Sequence, residues 1–131
     1  MKRCAGQIKY LIAIKELMEE NETVRCVNIS RHLGVSRPSV SKMLKCLAGS
    51  GLVHEEFCNS VRLTEKGREA VAEIYGVFDE VYVFFRRFLK LPHDEAHAQA
   101  VVFITEFPQE TCERLWSIVK RTVNNKMKKD G

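Results

Sequence analysis

Between Val35 and Cys46 the chain places hydroxyls and cations in a pattern suited to gripping a polyanion. Ser36, Ser39 and Ser41 supply donors and acceptors, Arg37, Lys42 and Lys45 supply charge, and Pro38 lies among them. Serine hydroxyls and helix N-termini bind phosphate oxygens, while Arg and Lys reach either phosphate or the guanine edge. Arg62 is a further candidate phosphate contact. Two other groups could do chemistry. His93 and His97 stand at i and i+4, a spacing that puts two imidazoles on one helical face. A metalloprotease helix, however, needs a glutamate directly after its first histidine, and Asp94 occupies that place. Cys58, in the polar run Cys58-Asn59-Ser60, is a candidate for reversible thiol oxidation. The bland alternatives are a capped and solvated helix, the start of another helix after Pro92, and an incidental thiol. No paired carboxylates, Gly-rich phosphate loop or nucleophile motif accompanies these residues, so an enzyme is not expected.

The elements that must position these groups follow from periodicity. Ile8, Leu11, Ile12, Ile14, Leu17 and Met18 recur at helical spacing and predict a helix from about Cys4 to Glu20. Val27–Leu33 forms a second helix, and Gly34 supplies a tight turn. Ser36 is the natural N-cap of a third, Arg37 to about Ala48, with Pro38 in its first turn, where a missing amide costs nothing. Its apolar positions Val40, Met43, Leu44 and Leu47 oppose Ser39, Ser41, Lys42 and Lys45. Leu52–Phe57 and Val61–Leu63 read as two short strands of a wing. Thr64 caps a long helix to about Leu89, Pro92 ends that element, and helices follow over Asp94–Phe107 and Gln109–Asn124.

The expected fold is mainly α: a winged helix-turn-helix domain over residues 1–70, a helical dimerisation domain over 71–124, and a flexible basic tail over 125–131. The composition is that of an ordinary globular chain, 45% hydrophobic and 29% charged. Of 21 Lys/Arg against 17 Asp/Glu, residues 1–70 hold 12 against 8, so the first half carries the whole excess. Five cysteines with no CxxC pairing argue against a disulfide framework or zinc knuckle. With no signal-peptide core and no spanning run, a cytoplasmic location and no membrane partner are expected.

The run VRCVNISRHLGVSRPSVSKMLKCLAGSGLV, followed by VRLTEKGREA, resembles the diphtheria-toxin-repressor family of iron- and manganese-dependent transcriptional repressors. The resemblance implies a winged domain that contacts double-stranded DNA through Ser36, Pro38, Ser39, Ser41 and Lys42, followed by a helical domain that dimerises and holds divalent metal. A palindromic operator and a homodimer are then the expected partners. A third, SH3-like domain of longer family members is not expected here. The wing departs from the pattern, with Cys58, Asn59 and Ser60 where the family often has an aromatic residue, an arginine and a glycine.

The metal positions depart further. The resemblance aligns Lys9, Ile12, Phe78, Tyr82, Val101, Ile104 and Thr105 with family ligands, and of the expected donors retains His97. Manganese and iron take carboxylate and imidazole donors. The expectation is therefore a regulator with no metal cofactor, His93 and His97 being weak candidates for an unrelated metal site. The alternatives are a redox- or ligand-responsive regulator, with Cys58 as sensor or Phe84, Phe85, Phe88, Phe103, Phe107 and Trp116 around a ligand, and a winged protein-interaction module. Those aromatic spacings suit core and interface better.

Overall fold

A computed structural model describes residues 4–130. Six helices follow one another: α1 (Ala5–Glu20), α2 (Cys26–Leu33), α3 (Arg37–Gly49), α4 (Glu65–Arg87), α5 (His93–Glu106) and α6 (Gln109–Asp130). The chain divides into two compact units, one over Gly6–Ile74 and the other built mainly from Tyr75 onward. Each is described by itself.

In the first unit the apolar stripes predicted from spacing are buried, except that Met18 of the first is exposed and Met43 of the third is half-buried. Leu11 and Ile14 of α1, Ile29 of α2, and Val40, Leu44 and Leu47 of α3 are fully enclosed, together with Leu52 and Val53 after α3. Removing each such side chain from water contributes about 1.5–3 kcal/mol, which is what holds short helices that would be marginal alone. α2 packs directly on α3.

The segment between α3 and α4 corrects the expectation of two wing strands. Among the described residues it contains a single antiparallel bridge, Val53 with Leu63. His54 N–H donates to the Arg62 carbonyl at 3.0 Å, and Thr64 N–H to that of Leu52 at 3.0 Å. The ladder stops there because the Val61 amide is taken by the Val24 carbonyl at 2.7 Å, and Glu55, Glu56 and Asn59 are exposed with no apolar alternation to bury. The wing is a tethered loop.

Thr64 does cap α4: its hydroxyl accepts the Gly67 amide at 3.0 Å while donating to the Gly51 carbonyl at 2.5 Å. Gly67 is needed for a different reason. A Cβ there would sit 2.0 Å from the Leu52 carbonyl oxygen, so the first turn of α4 meets the wing backbone at a distance that only glycine permits.

The second unit packs α4, α5 and α6 through Phe78, Val81, Ala96, Ala100, Phe103, Val119 and Val123, all buried. Trp116 of α6 donates its indole N–H to a Glu80 carboxylate oxygen at 3.2 Å, giving that ring its polar partner. α6 continues to Asp130, which corrects the flexible tail expected from residue 125. Asn124 to Asp130 contains no proline or glycine to stop a helix, so the polar composition that suggested a tail suits a helix equally. Gly131 lies outside the described residues. No described helix is long and apolar enough to cross a membrane.

Candidate nucleic-acid interface

The turn between α2 and α3 is set by Gly34, whose φ of 67° lies in the left-handed region. Its N–H and that of Val35 both donate to the Ser30 carbonyl, the latter at 3.1 Å, and the Ser30 hydroxyl returns a bond of 2.5 Å to the Val35 carbonyl. These bonds fix the direction in which α3 leaves the turn.

α3 begins as its sequence requires. Ser36 is the N-cap, its hydroxyl accepting the Ser39 amide at 3.3 Å and lying 2.8 Å from the Ser39 hydroxyl. Pro38 occupies the first turn, and no acidic residue is present there, so the positive end of the helix dipole is left available to an anion. Val40, Leu44 and Leu47 face inward at full burial. That fixes the other side outward: Ser36, Arg37, Pro38, Ser39, Lys42 and Lys45 are exposed, and Ser41 is half-buried.

The structure thus brings the predicted α3 residues to one solvent-facing surface with hydroxyls at its N-terminus and ammonium groups along it. Such a face offers hydrogen-bond donors to phosphate and base edges without first breaking internal ion pairs, none of which is found for Arg37, Lys42 or Lys45 among the described residues. Arg62 is exposed on the bridged part of the wing. Sequence reasoning passed over Arg31, which is exposed in the last turn of α2; its signal was a cation on the polar side of an amphipathic helix. Cys58 is exposed in the wing loop.

The second unit holds the other candidates. His93 is exposed at the start of α5, with Nδ1 2.5 Å from the Tyr82 hydroxyl, and His97 lies one turn later, the ring centroids 6.4 Å apart. His97 packs edge-on against Phe78 at 5.2 Å. Phe78 is buried, the Thr105 hydroxyl donates to the Val101 carbonyl at 2.7 Å, and Val101 and Ile104 carry no donor atoms in their side chains. A divalent ion is not fitted by these groups, and no set of three His, Cys, Asp or Glu side chains able to hold one gathers among the described residues.

Residues 8–57 match the iron-dependent-repressor N-terminal DNA-binding domain. Over 64 residues, 49% of the chain, it is 39% identical to the transcriptional regulator MntR of Escherichia coli O157:H7, of which that stretch covers 41%. The metal-dependent transcriptional regulator MtsR superposes with a TM-score of 0.72 at 25% identity, over 87% of this chain and 53% of that one. The manganese regulator SloR superposes with a TM-score of 0.72 at 28% identity, over 95% of this chain and 55% of that one. The chain therefore spans about half the length of these relatives. The expectation of no metal cofactor is corrected by them: the similar proteins are metal-dependent regulators, and apolar residues at aligned ligand positions do not remove metal from the account of this one.

Proposed function

We propose that this chain, which resembles the diphtheria-toxin-repressor family, is a metal-dependent transcriptional regulator that binds double-stranded DNA through α3. The observation that carries the reading is the exposed surface of Ser36, Arg37, Ser39, Lys42 and Lys45, held outward by the buried Val40, Leu44 and Leu47. A helix of this length fits the major groove, and its N-terminal residues reach base edges. Ser36 and Ser39 serve the helix start and the phosphate together, Ser41 and Lys42 face the groove, Pro38 sets the entry of the helix, and Lys45 and Arg62 neutralise backbone phosphates.

The chain acts as a homodimer on a palindromic operator, in the cytoplasm, and represses. Support for the dimer comes from Val102 and Phe107 at α5 and Leu115 and Ile118 on α6, large apolar side chains left exposed on the second unit. Two copies then present their α3 helices about 34–36 Å apart, or a multiple of that, to two half-sites. The metal dependence of the relatives enters as the signal. No step is routed through an ion, because the described side chains gather no set of three donors that could hold one.

The test is selection of duplex DNA from a random pool by the full chain at fixed salt, in parallel with added manganese and with chelator. The proposal expects an inverted repeat to be enriched, with its affinity raised by manganese. Enrichment of nothing in either arm would instead favour a winged module that contacts protein.

A further inference from the structure

Cys26 opens α2, and its side chain turns toward the wing: Sγ lies 3.9 Å from the Phe57 carbonyl oxygen, with the thiol as donor. That carbonyl belongs to the peptide bond carrying Cys58, so the sulfur of Cys26 stands beside the backbone of a second cysteine that is distant in sequence. A disulfide needs its two cysteines side by side, with Cα atoms about 4.4–6.8 Å apart, and the contact of Cys26 Sγ with the peptide bond carrying Cys58 makes the two cysteines spatial neighbours. The two thiols differ in setting. Cys58 is exposed in a loop with Glu55, Glu56 and Asn59 open to solvent, whereas Cys26 is half-buried. The base of that loop is tied to the segment before α2 by the 2.7 Å bond from Val61 N–H to the Val24 carbonyl. The loop can therefore turn at its tip without leaving α2.

We propose that Cys26 and Cys58 form a peroxide-oxidised thiol pair that closes reversibly into a disulfide between α2 and the wing. The exposed Cys58 reacts first: its thiolate sulfur attacks one oxygen of hydrogen peroxide, the S–O bond forms as the O–O bond breaks, and the departing hydroxide takes a proton to become water. Cys58 is then a sulfenic acid. The Cys26 sulfur attacks the Cys58 sulfur, the S–S bond forms, the S–O bond breaks, and the oxygen leaves as a second water with the proton from Cys26. Two thiols and one peroxide give one disulfide and two waters. Burial first, and then the negative charge that a Cys58 thiolate would carry, push the Cys26 thiol above its ordinary range. This suits Cys26 to the resolving role. The bond would enclose the helix-turn-helix in one covalent loop and hold the tip of the wing, which follows with Arg62, against the protein.

Formation of the pair does not depend on the DNA reading; its effect on DNA rests on that reading. The full chain is treated with hydrogen peroxide, alkylated, digested and mapped by mass spectrometry, before and after dithiothreitol. The proposal expects two of the five thiols to be lost together, peptides containing Cys26 and Cys58 to be found joined, and both thiols to return on reduction. In Cys26→Ser, dimedone should label Cys58; in Cys58→Ser, Cys26 should stay reduced, with circular dichroism checking that each variant is folded. Duplex affinity of the oxidised protein should fall about tenfold, the order of one lost contact, and recover with dithiothreitol. Free Cys26 and Cys58 after peroxide, or Cys58 joined to a cysteine of a second copy, would overturn the pair. A closed pair with unchanged duplex affinity would overturn the wing's part in binding and leave the site itself standing.

Discussion

The two units of this chain spend similar local chemistry on different ends. In Gly6–Ile74, the turn glycine, the serine cap and the proline in the first turn of α3 all serve to aim one polar face at solvent. In the unit from Tyr75 onward, the buried Phe78 packs against His97, and the half-buried Val101 and Ile104 lie along α5. The stretch matched to the DNA-binding domain, residues 8–57, lies wholly in the first unit. Under the proposed function the DNA-reading groups lie in the first unit, so they can be kept while the groups of the second take a different form.

That contrast can be broken or sharpened by substitution. The largest effect is expected from Phe78→Ala, which empties a buried aromatic site in the second unit and should cost about 3–5 kcal/mol, seen as a lowered thermal midpoint of the full chain. Gly67→Ala comes next. Its Cβ would overlap the Leu52 carbonyl, a backbone atom that cannot swing away, and should cost about 3 kcal/mol in the first unit, checked by urea denaturation. Ser36→Ala, which removes the acceptor of the Ser39 amide, should lower stability by about 1 kcal/mol. Smallest are Arg37→Ala and Lys42→Ala, which should each leave stability within about 0.5 kcal/mol, because both residues are exposed. A wild-type melting curve for Gly67→Ala would mean that the wing and α4 are not joined as described.

Much of this arrangement was legible in residue order. Helix-period apolar residues gave all six helices, because a stripe such as Val40, Leu44 and Leu47 has only one way to be buried. Gly34 and Ser36 marked the turn and the cap through backbone requirements that few other residues meet. The wing strands were misread, since alternation over Leu52–Phe57 says nothing of which amide pairs with which carbonyl. The bond from Val61 to Val24 joins segments far apart in sequence. The tail differs for the opposite reason: its lysines and asparagines are compatible with both coil and helix, and α6 runs on through them. Nor could spacing reveal that Cys26 faces the carbonyl before Cys58, which follows from the fold of the intervening helices. The metal question was misjudged by treating the absence of donors at aligned positions as the absence of a cofactor.

The central claim is that α3 reads DNA with its exposed face. It is tested most directly by measuring, at one salt concentration and with manganese present, the affinity of the full chain and of its Arg37→Ala and Lys42→Ala forms for the selected duplex and for an unrelated one. Each substitution is expected to weaken binding to the selected duplex by about 1–3 kcal/mol, with thermal midpoints unchanged. A substitution that removes a base contact should also narrow the gap between the two duplexes, while one that removes a phosphate contact should weaken both alike. Full affinity for the selected duplex in both variants would contradict the account and move the DNA-binding surface away from α3.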